Sequence, residues 1–148
     1  MINITSLAFS NNEMIPRKYA CDGMNMNPPL FVSNVPEKAQ SLVLIVSDPD
    51  AKMGVWTHWI VFNIDPGIEE IKENSLPQNG ILGASTSGKI GYEGPCPPKG
   101  EIHRYFFKIY AIDMIIEADE GVDINKLERI MEGHIIEEAE LMGIYEIY

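Results

Sequence analysis

The alternation of apolar and polar residues predicts three β-strands ahead of a C-terminal segment with a different period. Residues 42–46 are a continuous run of branched apolar side chains that ends at Asp48-Pro49, which is typical of a buried strand. Residues Trp56–Ile64 and 103–112 are longer runs in which both faces carry apolar side chains. We therefore expect a sheet that is covered on both faces.

Strand side chains alternate between faces, so each strand also predicts neighbours. In the third strand His103 and Tyr105 share one face and Arg104 lies on the other. In the second strand one face is expected to carry Trp56, His58, Ile60, Phe62 and Ile64. Each of these two histidines therefore has an aromatic neighbour on its own face.

The period changes after Gly121. Residues 65–100 are rich in Gly, Pro, Ser and Asn, which predicts long connecting loops. Asn125 and Glu128 resemble a capping box, Gly143 is a candidate helix stop, and residues 145–148 are left for a short strand. The apolar positions of the predicted helix, which all fall near one stripe, are Ile124, Leu127, Ile130, Met131, Ile135 and Leu141.

Composition narrows the class of protein. The chain has 148 residues, which suits one domain over residues 1–148, and no apolar run approaches the roughly 20 residues that span a bilayer. A net charge of −11 opposes binding to nucleic acids and to anionic membrane surfaces. We expect a soluble globular protein with neither partner.

The cysteines and the first residues of the chain indicate in which cellular compartment the protein works. The first residues show no pattern of a secretory signal, which predicts a cytoplasmic protein. Cys21 and Cys96 are far apart and belong to no CxxC pair, so metal-site spacing is absent. We expect both thiols to be free in a reducing compartment, with a disulfide between them as the less favoured alternative.

Two short segments hold most of the unusual polar chemistry. Asp48 and Asp50 follow the first strand, and imidazoles lie near the starts of the other two, at His58 and His103. If these strand ends converge, the carboxylates can orient the imidazoles and leave N–H groups that donate to a phosphoryl or carboxyl group. Arg104, on the opposite face, is expected to brace an acidic group within the fold.

Several motifs in order resemble the phosphatidylethanolamine-binding protein family, and most closely its prokaryotic, Raf-kinase-inhibitor-like members. The resemblance covers nearly the whole chain. The motifs that carry it are Asp48-Pro49-Asp50-Ala51, Trp56-x-His58-Trp59, Gly91-Tyr92-x-Gly94-Pro95-Cys96-Pro97-Pro98 and His103-Arg104-Tyr105.

The resemblance implies a mainly β fold of two antiparallel sheets with a few peripheral helices, and a small pocket for phosphoryl-type anions. It implies no cofactor, no metal and no catalytic residue, and it associates the family with lipid headgroups and with inhibition of kinases or proteases. Some prokaryotic members form homodimers, so a homodimer and a protein partner both remain open. The implied ligand-binding residues are Asp48, Asp50, Trp56, His58, Gly94, Cys96, Pro98, His103 and Tyr105, with backbone donors near Gly94 and Cys96.

Two departures from the family pattern lie beside this pocket. Lys52 follows Ala51 where the prokaryotic pattern usually has a proline, and Ser85 and Ser87 replace an Asn and an aromatic residue. We expect these positions to alter the shape of the pocket rim.

Three alternatives to anion binding remain at this stage. Cys96 and His103 with an Asp could form a nucleophilic triad, although the prolines around Cys96 leave few N–H groups for an oxyanion hole. The two histidines and two aspartates, His58, His103, Asp48 and Asp50, could bind a metal. The pocket could also dock a phosphorylated side chain as part of a protein-interaction module.

Overall fold

Two antiparallel sheets make up the computed structural model, which describes residues 1–148. A 3-10 helix at Arg17–Tyr19 and one α-helix, α1 at Ile124–Met131, complete the regular structure. The small sheet has the order β1-β2-β5, with β1 at Asn3–Thr5, β2 at Leu30–Ser33 and β5 at Glu70–Ile71. The large sheet has the order β6-β4-β3-β7-β8, with β3 at Ser41–Asp48, β4 at Trp56–Ile64, β6 at Ile81–Leu82, β7 at Ile102–Ile112 and β8 at Ile135–Glu146.

The large sheet is covered on both faces, which explains the apolar runs in its central strands. One face packs against the small sheet, so that Leu44 of β3 shares a buried cluster with Val32 of β2. The other face packs against α1, where Ile45 of β3 shares a second cluster with Leu127. Alternate residues of β3 thus enter different cores, and neither face can be polar.

The predicted fold class and the three predicted strands are confirmed. The first strand extends over β3, the second coincides with β4, and the third becomes β7. β3 ends at Asp48, where the next residue, Pro49, has no N–H to donate to a ladder. The Asp48 carboxylate accepts a hydrogen bond of 2.7 Å from the backbone N–H of Asp50, which fixes the turn that leaves the sheet.

The predicted helix is too long. α1 ends at Met131, Gly133 adopts a φ of 81° in the turn that follows, and residues from Ile135 onward form β8. In β8 Leu141, Gly143 and Tyr145 are buried on alternate positions. Ile135 and Leu141 of this strand also fall near the apolar stripe of the preceding helix, so the sequence pattern alone extends the helix into β8.

The predicted N-terminal cap and the predicted stop of that helix are also wrong. Asp123 is the N-cap, because its side chain accepts a hydrogen bond from the backbone N–H of Lys126, so Asn125 and Glu128 form no capping box. Gly143 stops no helix. It lies inside β8, where a Cβ atom would come 2.5 Å from the side chain of Ile15, and only glycine leaves room for that contact.

A register shift in β4 changes which face His58 occupies. Val46 pairs with Trp59 and Ser47 pairs with Thr57, which leaves His58 as an extra residue without a cross-strand partner. The imidazole consequently packs against the ring of Tyr105, on the face toward the small sheet, and not beside Ile60. Such bulges commonly redirect a side chain next to a functional site.

A second shift in the same strand moves Ile64 away from the face predicted for it. Asn63 adopts a φ of 56°, and the pairing register changes between Leu42 and Leu44. Ile64 therefore packs between the two sheets, whereas Phe62 packs toward α1. The expectation of one uninterrupted alternation along Trp56–Ile64 is wrong at both ends.

The two cysteines form a disulfide, so the expectation of free thiols is wrong. Cys21 follows the 3-10 helix and Cys96 lies in the Pro-rich loop before β7, and their Cα atoms are 5.4 Å apart. The bond therefore ties two loops that the strands do not connect. Among the helices of the structure, none is long and apolar enough to cross a membrane.

Candidate functional site

A cavity of about 510 Å³ opens where three strands of the large sheet begin or end. β3 is antiparallel to both β4 and β7, so its last residue lies beside the first residues of its two neighbours. This topology brings together segments that are distant in sequence. Seven of the nine predicted ligand-binding residues line the cavity: Asp48, Trp56, His58, Gly94, Cys96, Pro98 and His103.

Asp50, one of the two predicted residues that do not line the cavity, forms a bidentate ion pair with Arg104. The two nitrogens Nε and Nη2 of Arg104 lie 2.9 Å from the two carboxylate oxygens of Asp50. This pairing lowers the pKa of Asp50 to about 2. Arg104 therefore braces an acidic group, as predicted, and Asp50 holds the start of β7 to the turn after β3.

Tyr105 is the second predicted ligand-binding residue that does not line the cavity, and it lies beneath it. Its side chain is fully buried, and its ring meets that of His58 edge-on with the centroids 5.3 Å apart. Burial, together with the negative charge of Asp48, raises the pKa of the hydroxyl. The hydroxyl makes no hydrogen bond within the protein. Tyr105 supports the imidazole of His58 from below.

His103 lies between two carboxylates. Its Nδ1 is 2.7 Å from Oδ2 of Asp48, and its Nε2 is 2.9 Å from Oε1 of Glu101. A carboxylate only accepts hydrogen bonds, so both ring nitrogens carry a proton in this arrangement. Burial lowers the pKa of His103, but the hydrogen bonds to Glu101 and Asp48 outweigh it and leave the pKa above its ordinary value. The two hydrogen bonds and the raised pKa therefore both favour the imidazolium form of His103.

His58 has the opposite protonation state. Its Nδ1 is 2.7 Å from the backbone carbonyl of Glu93, which can only accept, so Nδ1 carries the proton. Burial lowers the pKa of His58 below its ordinary value, against the opposing effect of that hydrogen bond. The neutral ring therefore presents Nε2 as an acceptor. The idea that the aspartates orient both imidazoles holds only for Asp48 and His103.

Glu93 is a cavity residue that the sequence analysis missed. One of its carboxylate oxygens accepts from the indole N–H of Trp56 at 3.2 Å, and the other accepts from the hydroxyl of Ser87 at 2.6 Å. The Ser87 hydroxyl lies 3.0 Å from that of Ser85. The two serines that depart from the family pattern therefore position this carboxylate. Nothing in the local sequence around Glu93 predicted that role.

Lys52 brings a second cation to the cavity. Its side chain is largely exposed, and Nζ lies 3.8 Å from Oε2 of Glu101. Two carboxylates, Asp48 and Glu93, and two cations, Lys52 and His103, thus line the same cavity. The arrangement can bind a group that both accepts and donates hydrogen bonds, with His103 and Lys52 available for negative charge.

Two of the alternatives lose support from this geometry. Cys96 is bonded to Cys21, so it has no thiolate to act as a nucleophile. No group of three or more His, Cys, Asp and Glu side chains has the arrangement of a metal site. The backbone donor expected at Gly94 is also occupied, because its N–H donates to Oδ1 of Asn25 at 2.8 Å.

The fold and the cavity define a class: a protein of two antiparallel sheets with a small polar pocket at the strand ends of the larger sheet. The family model of phosphatidylethanolamine-binding proteins matches residues 5–146. The chain therefore belongs to the phosphatidylethanolamine-binding protein family.

Relatives of similar length support this assignment. A UPF0098 protein of Methanothermobacter thermautotrophicus is 44% identical, with 97% of this chain and 98% of the relative covered. A crystal structure of a Chlamydia trachomatis protein, described as a homologue of the phosphatidylethanolamine-binding protein, matches with a TM-score of 0.94 and 45% identity. The match covers 99% of this chain and 98% of that one. YbcL of Escherichia coli, described as a member of the mammalian family, matches with a TM-score of 0.93 and 30% identity, over 99% of each chain.

Proposed function

We propose that the protein binds a small ligand through a phosphoryl or carboxyl group in the cavity between Asp48, His58 and His103. The observation that carries the proposal is the pairing of His103 with two carboxylates. One of them, Asp48, is buried and belongs to the fold, whereas the other, Glu101, reaches His103 from the partly exposed side. The Nε2–H of His103 already donates to the carboxylate of Glu101, so it is suited to donate to a phosphoryl or carboxyl oxygen of a ligand.

The remaining walls suit the organic part of such a ligand. Trp56 and Pro98 offer flat apolar surfaces, and the side chain of Met53 at the cavity is 95% exposed. Ligand pockets in general combine an apolar lining with a few convergent polar groups. Binding, and not catalysis, is the function proposed, because the cysteine that would supply a nucleophile is held in a disulfide.

The ligand group could also be carried by a larger partner, in which case the protein would regulate a kinase, a protease or another protein. Met53, which lines the cavity, and Val55, two residues further on, are both exposed apolar side chains, and an exposed apolar surface beside a pocket favours contact with a larger partner. Comparing phosphoserine with a phosphoserine peptide distinguishes the two cases. Tighter binding of the peptide would support a protein partner, and equal binding would support a small molecule.

The central experiment is an NMR and calorimetric titration of the purified protein with inorganic phosphate, phosphoethanolamine and acetate. We expect the resonances of the Trp56 indole and of the His58 and His103 rings to shift on addition of phosphate. His103→Gln, which removes the positive charge, is expected to weaken phosphate binding about tenfold, comparable to losing one charge-assisted hydrogen bond. His134→Gln, at an exposed histidine outside the cavity, is the matched control. Unchanged resonances with all three anions would refute the proposal.

A cytoplasmic location stays a proposal from the sequence. The disulfide weighs against a reducing compartment, except in hosts such as hyperthermophilic archaea, whose intracellular proteins are rich in disulfides. Mass spectrometry of the protein alkylated in its native cell extract would show whether Cys21 and Cys96 are oxidised there.

A further inference from the structure

Glu101 is the last residue before β7, which begins at Ile102, and it lies two residues ahead of His103. This places the carboxylate of Glu101 within 2.9 Å of Nε2 of His103. The two hydrogen bonds of His103 differ in exposure. The Asp48 side chain is 5% exposed, whereas that of Glu101 is 39% exposed. The inner contact is therefore fixed by the fold, and the outer contact can exchange with solvent.

Releasing Glu101 needs no change of the backbone. Its backbone N–H donates to the carbonyl of Pro98 at 3.0 Å, which holds the turn in place whatever the side chain does. The same carboxylate lies near Nζ of Lys52, whose side chain is 76% exposed. A rotation about the side-chain bonds of Glu101 would therefore free two cations that line the cavity, His103 and Lys52.

We propose that Glu101 is a tethered competitor, a carboxylate that occupies the outer N–H of His103 and must leave when an external anion binds. This inference rests on the proposed anion-binding function and adds a regulator to the same site. A carboxylate attached two residues away is present at a high effective concentration, so it weakens every anion that uses His103. Only ligands with further contacts in the cavity then bind at low concentration.

The test measures the affinity for inorganic phosphate, by calorimetry at pH 7.5, for the native protein and three variants. Glu101→Gln removes the charge and keeps the length, whereas Glu101→Asp keeps the charge and shortens the side chain so that it no longer reaches Nε2. We expect both to bind phosphate about threefold more tightly or better, a factor that allows for the partial exposure of Glu101. Glu120→Gln, an exposed glutamate outside the cavity, should bind as the native protein does.

The two Glu101 variants separate contact from charge. If Glu101→Gln tightens binding and Glu101→Asp does not, the effect is only electrostatic and the competitor is refuted. If the native protein binds phosphate and neither variant binds it more tightly, the competitor is refuted while the proposed function stands. If no protein in the series binds phosphate, both fail. Binding that is measurable only in the two Glu101 variants would support both.

Discussion

The Nδ1 atom of His103 lies 2.7 Å from Oδ2 of Asp48, and both side chains are only 5% exposed. A buried imidazole is ordinarily neutral, because burial penalises the charged form. Here the hydrogen bonds to Glu101 and Asp48 outweigh burial, raise the pKa of His103 and favour a positive charge at the cavity. The pair is thus the element on which the proposed anion binding depends.

The substitution Asp48→Asn should therefore change the pH dependence of binding. The single amide oxygen can replace only one of the two acceptors that Asp48 provides, for Nδ1 of His103 and for the backbone N–H of Asp50, and the amide brings no negative charge, so the pKa of His103 should fall. We expect the loss of phosphate affinity in this variant to be smallest at pH 5.5 and to grow toward pH 8, up to about tenfold, the size of one lost charge-assisted contact.

An NMR titration of the His103 ring protons reads the pKa directly. The matched control is Asp113→Asn, which makes the same change next to His134, where Nδ1 lies 2.8 Å from the aspartate on the protein surface. This control should leave His103 and phosphate binding unchanged. An Asp48→Asn protein with an unshifted His103 titration would contradict the assignment.

The same ion pair predicts how folding stability depends on pH. The pKa of His103 is raised in the folded protein, so its contribution to stability is complete below its unfolded value and is lost as the pH rises through the folded value. The difference in the free energy of unfolding between the native protein and His103→Gln should be largest below about pH 6.5 and should shrink at higher pH. Urea denaturation at several pH values measures it, and a constant difference would contradict the pairing.

His58 predicts that anion binding takes up a proton. Burial lowers the pKa of His58, so its Nε2 is unprotonated at pH 7.5, and an anion placed against it favours protonation. The other charged groups that influence His58 are the carboxylates of Asp48 and Glu93, both of which also favour the protonated ring. Affinity should therefore rise as the pH falls below about 6.5.

Sulfate is the suitable probe, because it does not itself titrate in this range. Calorimetry in two buffers of different ionisation enthalpy should show uptake of up to about one proton per sulfate at pH 7.5. The uptake should disappear in His58→Gln and persist in His134→Gln. If sulfate binds without any uptake, His58 does not face the anion.

Sequence reasoning reached the strands and most of the cavity because these depend on local patterns. The apolar runs fixed β3, β4 and β7, and antiparallel order then brought Asp48, His58 and His103 together. The predictions were wrong where tertiary contacts determine the structure. The register shift that turns His58 toward Tyr105 has no marker in the alternation, and the disulfide joins loops whose distance only the fold determines.

The carboxylates show the same division. Glu101 lies two positions before His103, directly ahead of β7, and this short spacing is a local signal that could have indicated their contact. Glu93 could not, since it lies in a loop and is positioned by Trp56 and Ser87 from other parts of the chain. Asp50 was assigned to the ligand by its motif, whereas the fold pairs it with Arg104.

The ion pair of Asp50 and Arg104 predicts a small effect on binding and a larger one on acid stability. Asp50→Asn should keep phosphate affinity within about twofold, because its side chain lies outside the cavity and its pair is partly exposed. The lowered pKa of Asp50 contributes stability above its unfolded value of 3.8, which is lost as the pH falls toward about 2.

Thermal melts at pH 3 and pH 7 test this directly. The free energy of unfolding of the native protein should exceed that of Asp50→Asn by about 0.2 to 1 kcal/mol at pH 7, the range for exposed ion pairs, and by less at pH 3. A loss of phosphate binding in Asp50→Asn, at unchanged stability, would place Asp50 in the ligand site after all.

The disulfide between Cys21 and Cys96 should couple stability to binding. Its half-cystines are 75 residues apart in sequence, and closing a loop of this length stabilises a fold by about 4 kcal/mol in the chain-entropy treatment, and less where the reduced chain keeps structure. Both residues also line the cavity, so freeing the loops that carry them should weaken phosphate binding.

Thermal melts and phosphate titrations with and without dithiothreitol measure both effects in one sample. The variant Cys21→Ala/Cys96→Ala should reproduce the reduced protein and should no longer respond to the reductant. A native protein that keeps its melting temperature after complete reduction, verified by thiol counting, would show that the strands alone hold the cavity together.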